Sequence, residues 1–510
     1  MFIRFIPALL ALANSGFALP TPETKQAPFS SPYAPPKDAS VLILGGGVAG
    51  IAAAQALAER GVSDFIIVEA RHELGGRMMS RAFGAPEKQY AIEVGANWVQ
   101  GTQAKGGPEN PIWKLAKKHH LDTRISSFSN MTTFDETGKV DFTRDVKTAA
   151  RSYARLTGAA GRRVSRALVD ATARGGYSLT GSQPSNAHEM ASEYFQFDWE
   201  FAQTPEETSW IASSWANNYT FRSDAGGFSD ENAMSVDQRG FKTLIQDEAK
   251  MFLRKDHKQL RLNATVTEVK YSTEDVVVTL ADGTALRADY AICTFSLGVL
   301  QHHDVKFTPK LPGWKREAIH SMSMGVFTKI FLQFPEKFWF DTEMALYADR
   351  ERGRYAVWQS LDHERYFPES GLIFVTVTGA FSKRIEALPD AEVKTEVISI
   401  LQKMYPNTTI PEPLGFYFQR WHADPLFRGS YSNWPASFLT EHSVNLRATV
   451  AESLWFAGEA TSMRHFGFLH GAYLEGRDIG STVAACINGG GCVELEHVDR
   501  VKNARPYELL

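Results

Sequence analysis

The sequence predicts a protein of mixed α/β and α+β class, with a nucleotide-binding unit near its N-terminus and two large domains. Three observations support this prediction. A glycine-rich turn lies between a buried strand and a helix early in the chain, strand-rich stretches recur far downstream, and the 510 residues are too many for one ordinary core. The composition, with 44% hydrophobic and 22% charged residues, is that of a folded globular protein.

The N-terminal residues are typical of a secretory signal peptide. Arg4 precedes the apolar run FIPALLALA, and small residues follow at Gly16 and Ala18. We therefore expect a signal peptide over residues 1–18. Residues 19–38 are rich in Pro, Ser and Thr, which predicts a flexible tail. Since no later apolar segment is long enough to span a bilayer, we expect a secreted protein without a membrane partner.

The charge balance argues against polyanionic partners. With 54 basic and 58 acidic residues the formal charge is −4, and no local run of Lys and Arg provides a basic surface for nucleic acid. A mildly acidic surface suits a cationic substrate but is also an ordinary solvated surface. We expect neither a nucleic-acid partner nor a metal site, and the sequence makes no prediction of the oligomeric state.

Sequons and cysteines also bear on export. The candidate glycosylation sites, each with Thr two positions on, are Asn130, Asn218, Asn263 and Asn407. Such triplets also occur by chance, and Asn263 is doubtful because it lies at the start of a predicted strand. Cys293 lies in an apolar strand, which predicts a buried free thiol. Cys486 and Cys492 bracket INGGG, so they either form a disulfide or leave Cys486 as an inert helix residue.

The first predicted unit is a strand, a turn, a helix and a second strand. SVLILG predicts a buried strand, VAGIAAAQALAER a helix that ends at Gly61, and DFIIVEA a second buried strand. Gly45, Gly47 and Gly50 form a GxGxxG turn, which allows a tight bend, close approach to a pyrophosphate and close helix packing. Glu69 ends the second strand, where a carboxylate can bind both ribose hydroxyls and disfavours NADP. NAD and FAD are equally compatible with this unit.

Later segments predict further strands and helices. QLRLNATVTEVKYS and VVVTLADGTALRADYAICTF are strand-rich, with a tight hairpin turn at Asp282 and Gly283. A mostly helical, aromatic-rich stretch is predicted over about residues 122–239. KIFLQF and GLIFVTVTG predict a second sheet within about residues 324–435.

The segment after Glu69 distinguishes FAD from NAD as the cofactor. EARHELGGRMMS places Gly76 and Arg77 directly after the ribose-binding acid, and here the chain resembles the flavin amine oxidase family. In that family this element packs along the FAD diphosphate, whose charge Arg77 would neutralise. EVGANWVQG, VTEV, FSLGVL, FTKIFLQF, RGSYSNWP and FAGEATS followed by GFLHGAYLEG occur in the family's order and spacing. The likeness is to secreted polyamine oxidases of the plant and fungal type.

The resemblance implies an interleaved architecture. Residues 39–121, 240–323 and 436–490 would form a Rossmann-like FAD-binding domain. Residues 122–239 and 324–435 would form a substrate-binding domain of mixed sheet and helices. Residues 491–510 are expected to be a C-terminal tail.

The resemblance also implies cofactor contacts. Val266 would meet the adenine through its backbone, and Glu459 would hydrogen-bond the ribityl or phosphate region. The other residues assigned to the cofactor are Trp421, Thr461 and Leu469. Gly429-Ser430-Tyr431 stands where covalent members of the family carry a cysteine, so we expect FAD to be bound non-covalently.

A reaction site is implied in front of the flavin. Tyr431 and Phe468 match the family's pair of aromatic walls, although polyamine oxidases often have Tyr at the second position. Lys329 matches a lysine that holds a water near flavin N5; from the residues alone it is more often a snorkelling edge residue. Trp98 and Gln100 are expected on the substrate side. Plant polyamine oxidases place a carboxylate where Gln100 stands.

Glu200, in EYFQFDWEFAQ, matches an acidic position near the polyamine tunnel of the plant enzymes and is the candidate replacement. The alternative is a helix face of solvated acids over a buried aromatic stripe. The resemblance implies hydride transfer from a carbon next to an amine nitrogen of a polyamine to FAD. Hydrolysis of the resulting iminium by water would give an aminoaldehyde and a shorter amine, and reoxidation of the flavin by O2 would give H2O2. The alternatives are a monoamine or L-amino-acid oxidase, and a non-catalytic flavin- or amine-binding protein.

Overall fold

The computed structural model describes residues 37–166, 168–254, 258–489, 491–492 and 494–498. The expected signal peptide, nearly all of the expected N-terminal tail and the end of the C-terminal tail lie outside the described residues. No helix within the described ranges has the length and hydropathy needed to cross a membrane.

The strands are short, and most contain three to seven residues. In chain order they are β1 (Ala39–Leu44), β2 (Phe65–Val68), β3 (Ser80–Phe83), β4 (Tyr90–Glu93), β5 (Trp98–Gln100), β6 (Thr123–Ile125), β7 (Met131–Asp135), β8 (Gly138–Lys139), β9 (Asn232–Ser235), β10 (Leu260–Arg261), β11 (Val266–Tyr271), β12 (Val276–Leu280), β13 (Ala285–Cys293), β14 (Lys306–Thr308), β15 (Ser323–Gly325), β16 (Phe327–Gln333), β17 (Met344–Tyr347), β18 (Val357–Ser360), β19 (Leu372–Thr378), β20 (Gly415–Phe418), β21 (Tyr431–Asn433) and β22 (Leu454–Phe456).

The helices vary more in length, from one turn to 23 residues. In chain order they are α1 (Val48–Glu59), α2 (Pro111–Lys118), α3 (Thr143–Ser165), α4 (Ala173–Leu179), α5 (Ala187–Gln196), α6 (Asp198–Phe201), α7 (Trp210–Phe221), α8 (Thr243–Phe252), α9 (Leu297–Gln301), α10 (Gly313–Ser321), α11 (Gly379–Glu386), α12 (Asp390–Met404), α13 (Thr440–Arg447) and α14 (Leu469–Gly489).

The first large sheet carries the nucleotide-binding unit. Its strand order is β10-β2-β1-β13-β12-β11-β14, with β22 also paired to β13. β1 is parallel to β2 and to β13, and α1 connects β1 with β2, as in a βαβ unit. The predicted turn at Asp282 and Gly283 joins the antiparallel strands β12 and β13. All strands of this sheet come from the segments expected to form the FAD-binding domain.

The last helix returns to this unit. A Cβ atom at Gly476 on α14 would lie 2.2 Å from the carbonyl oxygen of Ala49 on α1, and one at Gly480 would lie 2.4 Å from that of Ala53. Only glycines allow two helices to approach this closely. The C-terminal segment is therefore packed directly behind the glycine-rich turn.

The second large sheet has the order β20-β16-β19-β18-β17-β7-β8 and is antiparallel except for the β17 and β7 pair. Its strands come from the segments expected to form the substrate-binding domain. The stretch over residues 122–239, predicted to be mostly helical, contains α3 to α7 but also β6 to β9. These strands have two to five residues, too few to show a period of two in the sequence.

The three cysteines form one disulfide and one free thiol. Cys486, near the end of α14, is bonded to Cys492, with 4.3 Å between their Cα atoms. Cys293 is a buried free thiol at the end of β13.

Candidate active site

A cavity of about 500 Å³ is lined at one end by the turn after β1 and at the other by β16 and β21. Cavities of this size commonly hold cofactors or small ligands. The residues that line it come from both groups of segments identified in the sequence.

The glycine turn forms one end of the cavity. Gly45, Gly47 and Gly76 line it, and Gly45 has a φ of 114°, which favours glycine. A Cβ atom at Gly76 would lie 3.1 Å from the Cα of Gly47, so side chains here would fill the gap between the two loops. This backbone cradle at the start of α1 fits a dinucleotide diphosphate.

Gly50, predicted to contact the cofactor, does not line the cavity. A Cβ atom at this position would lie 2.0 Å from the carbonyl oxygen of Gly45. Gly50 therefore shapes the turn from behind, by letting α1 start directly against it.

Glu69 is buried at the same end. Its carboxylate accepts hydrogen bonds from the N–H of Gly46 (2.7 Å) and the N–H of Arg71 (2.8 Å). Burial raises the pKa of this carboxyl, and the two N–H donors oppose the shift. Each oxygen keeps a second lone pair, so both ribose hydroxyls can still bind. Gly46 and Arg71 were not identified from the sequence, although both lie inside quoted motifs.

Arg77 and Glu459 meet in the middle of the cavity wall. Arg77 Nη1 donates to Glu459 Oε1 and to the carbonyl of Ser430, both at 2.9 Å. Glu459 also accepts from the N–H of Gly467 (2.7 Å) and of Ser432 (3.2 Å). The charge of Arg77 is thus partly compensated by Glu459, and the expected contact of Arg77 with the FAD diphosphate stays a prediction.

Of the remaining four residues assigned to the cofactor, three line the cavity. Val266, Trp421 and Leu469 line the cavity, whereas Thr461 does not. The Thr461 hydroxyl donates to the carbonyl of Gly458 (2.9 Å) and lies in a small neighbouring cavity. The structure therefore does not place Thr461 on the cavity wall, and its assignment to the cofactor stays a prediction.

Aromatic rings form the other end of the cavity. The predicted residues Trp98, Gln100, Tyr431 and Phe468 all line it. Further rings that were not predicted from the sequence also line the cavity, among them Phe128, Trp199 and Phe327. Trp98, Phe128 and Trp199 contact one another edge to face, with ring centroids 5.6–5.9 Å apart. Trp199 and Phe327 stand inside motifs quoted above, so the sequence did contain the signal for them.

Lys329 lies on β16, which is paired on both sides by β19 and β20. It is 3% exposed, so the alternative of a snorkelling edge residue is wrong. Its Nζ donates to the carbonyls of Glu93 (2.9 Å) and Gly95 (2.5 Å) and to Asn97 Oδ1 (2.7 Å). Burial lowers the pKa of Lys329 to about 7, and the Glu93 carboxyl opposes this shift. The group can therefore change its charge near neutral pH.

Glu200 lies in the cavity wall on α6. Its backbone carbonyl accepts a hydrogen bond from the Tyr431 hydroxyl (2.9 Å). Burial raises the pKa of its carboxyl to about 7. The alternative, a face of solvated acids, does not describe this segment, because Glu193 and Asp198 are buried in ion pairs with arginines.

Comparisons with known proteins agree with this geometry. Residues 48–481 match the model of flavin containing amine oxidoreductases. Polyamine oxidase 1 of Zea mays is 35% identical over 89% of this chain and 91% of its own length. Polyamine oxidase 6 of Oryza sativa subsp. japonica is 34% identical over 89% of this chain and 92% of its own.

A solved structure supports the fold independently. A double mutant of putrescine oxidase matches with a TM-score of 0.69, covering 88% of this chain and 99% of its own, at 17% sequence identity. At that identity the likeness concerns the fold, and it confirms the predicted combination of a nucleotide-binding sheet with a second mixed domain. The family model covers most of the chain and confirms the expected FAD cofactor. The chain belongs to the flavin containing amine oxidoreductases.

Proposed function

We propose that the protein is an FAD-dependent oxidase of polyamines, such as spermidine, spermine or their acetylated forms, that produces an aminoaldehyde, a shorter amine and H2O2. One observation carries the choice of substrate. Among the described carboxyls that line the cavity, only the Glu200 side chain pairs with no cation and accepts no hydrogen bond. Asp304 pairs with Arg428, Glu459 with Arg77, and Glu69 accepts backbone N–H groups.

Four residues of the cavity have a task in the proposed reaction. Bound FAD supplies the two-electron acceptor. Tyr431 and Phe468 flank the reacting end of the substrate and exclude water, which keeps the reacting amine neutral. The Glu200 carboxylate pairs with a second, protonated nitrogen of the same substrate. Lys329 holds or moves a proton close to the reacting centre.

FAD is expected to be non-covalent. The chain has three cysteines, of which Cys293 is buried in β13 and the other two are bonded to each other. None of them is among the residues that line the cavity.

The cations of the cavity disfavour an L-amino-acid oxidase. A substrate carboxylate needs a free cation, but Arg77 pairs with Glu459, and Arg71 with Glu73. Lys329 already donates to three acceptors. The names of the similar plant proteins, polyamine oxidases, point the same way.

Anaerobic mixing tests the proposal directly. We expect spermidine, spermine or an acetylated form to bleach the flavin faster than monoamines or L-amino acids do. Faster bleaching by a monoamine or an amino acid would replace the polyamine assignment with the corresponding alternative. If no member of the panel bleaches the flavin, the protein is not an amine oxidase.

We further propose that the protein is exported and glycosylated. Asn130, Asn263 and Asn407 are exposed, and Asn263 lies in the turn before β11 rather than in a strand. Asn218 lies in α7, and its Oδ1 is buried. Because a glycan needs open solvent, we expect peptide mapping of the secreted protein to find glycans at exposed sequons only. A glycan on Asn218, or protein retained in the cell, would contradict this.

A further inference from the structure

A cluster of buried charges lies behind the helix that carries Glu200. α6 is a single turn, of which Trp199, Glu200 and Phe201 line the cavity and Asp198 does not. The side chain of Asp198 is buried away from the cavity lining and receives two hydrogen bonds from Arg352. The distances are 3.0 Å from Nε to Oδ2 and 2.6 Å from Nη2 to Oδ1. Such a two-point contact sets the orientation of both side chains.

Arg352 also connects α6 to its neighbours. Its Nη1 lies 3.0 Å from Glu193 Oε1 on α5. Glu193 in turn accepts from Arg174 Nη1 at 3.0 Å on α4. These two cations and two anions are each mostly buried, and Arg174 also pairs with a third, more exposed anion, Glu206, at 2.7 Å. Moving one member would leave a buried charge without its partner, so the cluster resists displacement.

α6 depends on such contacts for its position. A four-residue helix is too short to be stable through its own hydrogen bonds. On the cavity side it is held by the Tyr431 hydroxyl, which donates to the Glu200 carbonyl at 2.9 Å. On the opposite side Arg352 holds Asp198. Successive helical residues point about 100° apart, so a modest rotation of this turn would move the Glu200 carboxyl out of the cavity wall.

We propose that Arg352 is a positioning residue for substrate selection: by holding Asp198 it fixes α6 so that Glu200 faces the distal ammonium of a polyamine. Arg352 is not among the residues that line the cavity, and it acts through Glu200. A substrate with one nitrogen does not use Glu200 and is indifferent to Arg352. The proposal rests on the proposed function.

The test compares octane-1,8-diamine with octylamine. These two ligands differ only in the ammonium at the far end of the chain. Their dissociation constants are measured on the FAD-loaded protein from the change in flavin absorbance. We expect the wild type to prefer the diamine. Arg352→Gln should reduce this preference about tenfold, the size of one lost charge contact, and change octylamine binding little. Arg352→Lys should restore part of it, because lysine keeps the charge but not the two-point contact.

A double-mutant cycle shows whether Arg352 acts through Glu200. Glu200→Gln should remove the preference for the diamine, and adding Arg352→Gln should then change little more. The matched control is Arg350→Gln, two residues away, whose side chain is 85% exposed and pairs with Glu136. We expect the control to bind both ligands like the wild type.

Several outcomes would overturn the proposal. Equal losses for both ligands in Arg352→Gln, or additive losses in the cycle, would reduce Arg352 to a structural role. If Arg352→Gln does not yield flavin-loaded protein, Asp198→Asn removes the same ion pair while keeping the side-chain shape, and the same criteria apply. A wild type without preference for the diamine would instead refute the role of Glu200 and with it the proposed function.

Discussion

Replacing Lys329 with Met should slow turnover by about 10²–10³-fold while FAD stays bound, as removal of a positioned proton-transfer group does in other enzymes. The methionine keeps the length and apolar stem of the lysine. It removes the Nζ that bridges the carbonyls of Glu93 and Gly95 and the side chain of Asn97. Rapid-mixing measurements of flavin reduction and of reoxidation by O2 would show which half of the cycle slows.

The pH profile of the wild type provides the second readout. The pKa of Lys329 is lowered to about 7, so the side chain is an ammonium below that pH and a neutral amine above it. In the ammonium form, Lys329 donates all three N–H groups to protein acceptors. As the amine, it has a lone pair that can accept a proton. At saturating substrate, where binding through Glu200 no longer limits the rate, the step that Lys329 serves should therefore accelerate as pH rises through about 7, and Lys329→Met should lose this inflection.

Lys242→Met is the matched control. Lys242 is also largely buried and pairs with Glu73 at 2.6 Å, but it does not line the cavity. It should keep both the rate and the inflection. Kinetics of Lys329→Met that match the wild type over the whole pH range would remove Lys329 from the mechanism.

The nucleotide-binding unit could be predicted from sequence because several local signals agree there. A buried apolar run, three spaced glycines and an alanine-rich helix follow one another, and the observed β1, α1 and β2 lie within two residues of the predicted bounds. The sheet β5-β9-β6 could not be predicted in this way. Its strands have three or four residues, and Trp98 on β5 pairs with Met234 on β9, far along the chain. Such pairings depend on the tertiary fold rather than on local pattern.

The residues of the site also differ in whether the sequence could identify them. Gly45, Glu69 and Lys329 were identified because they stand in contiguous motifs whose residue types imply a task. The acceptors of Lys329, among them Asn97, depend on side-chain direction, which spacing does not encode. Arg352 could not be identified from the sequence, because it belongs to no motif and its partner Asp198, although inside a quoted motif, is 154 positions away. Long-range ion pairs appear only once the fold brings the elements together.

One tight constraint on cofactor binding is the missing side chain of Gly50, and Gly50→Ala should yield protein that loses its FAD. The added Cβ would lie 2.0 Å from the carbonyl oxygen of Gly45 and 3.3 Å from Ile43 Cγ2, so α1 or the turn must shift. α1 cannot retreat easily, because Ala49 is already packed against Gly476 on α14. The turn must therefore distort, and the backbone that faces the diphosphate moves with it. Overpacking of this kind costs about 1–3 kcal/mol, equivalent to a loss in FAD affinity of about 5–150-fold.

Gly158→Ala makes the same chemical change in α3, where a Cβ would meet nothing within 4 Å. It should retain FAD and gain up to about 1 kcal/mol of helix stability. The ratio of flavin to protein absorbance after purification, and titration of the flavin-free protein with FAD, measure both variants. Full flavin content in Gly50→Ala would mean that the turn tolerates displacement and does not bind the diphosphate. The assignment of this end of the cavity to FAD would then fail, while the aromatic end around Lys329 would keep its own tests.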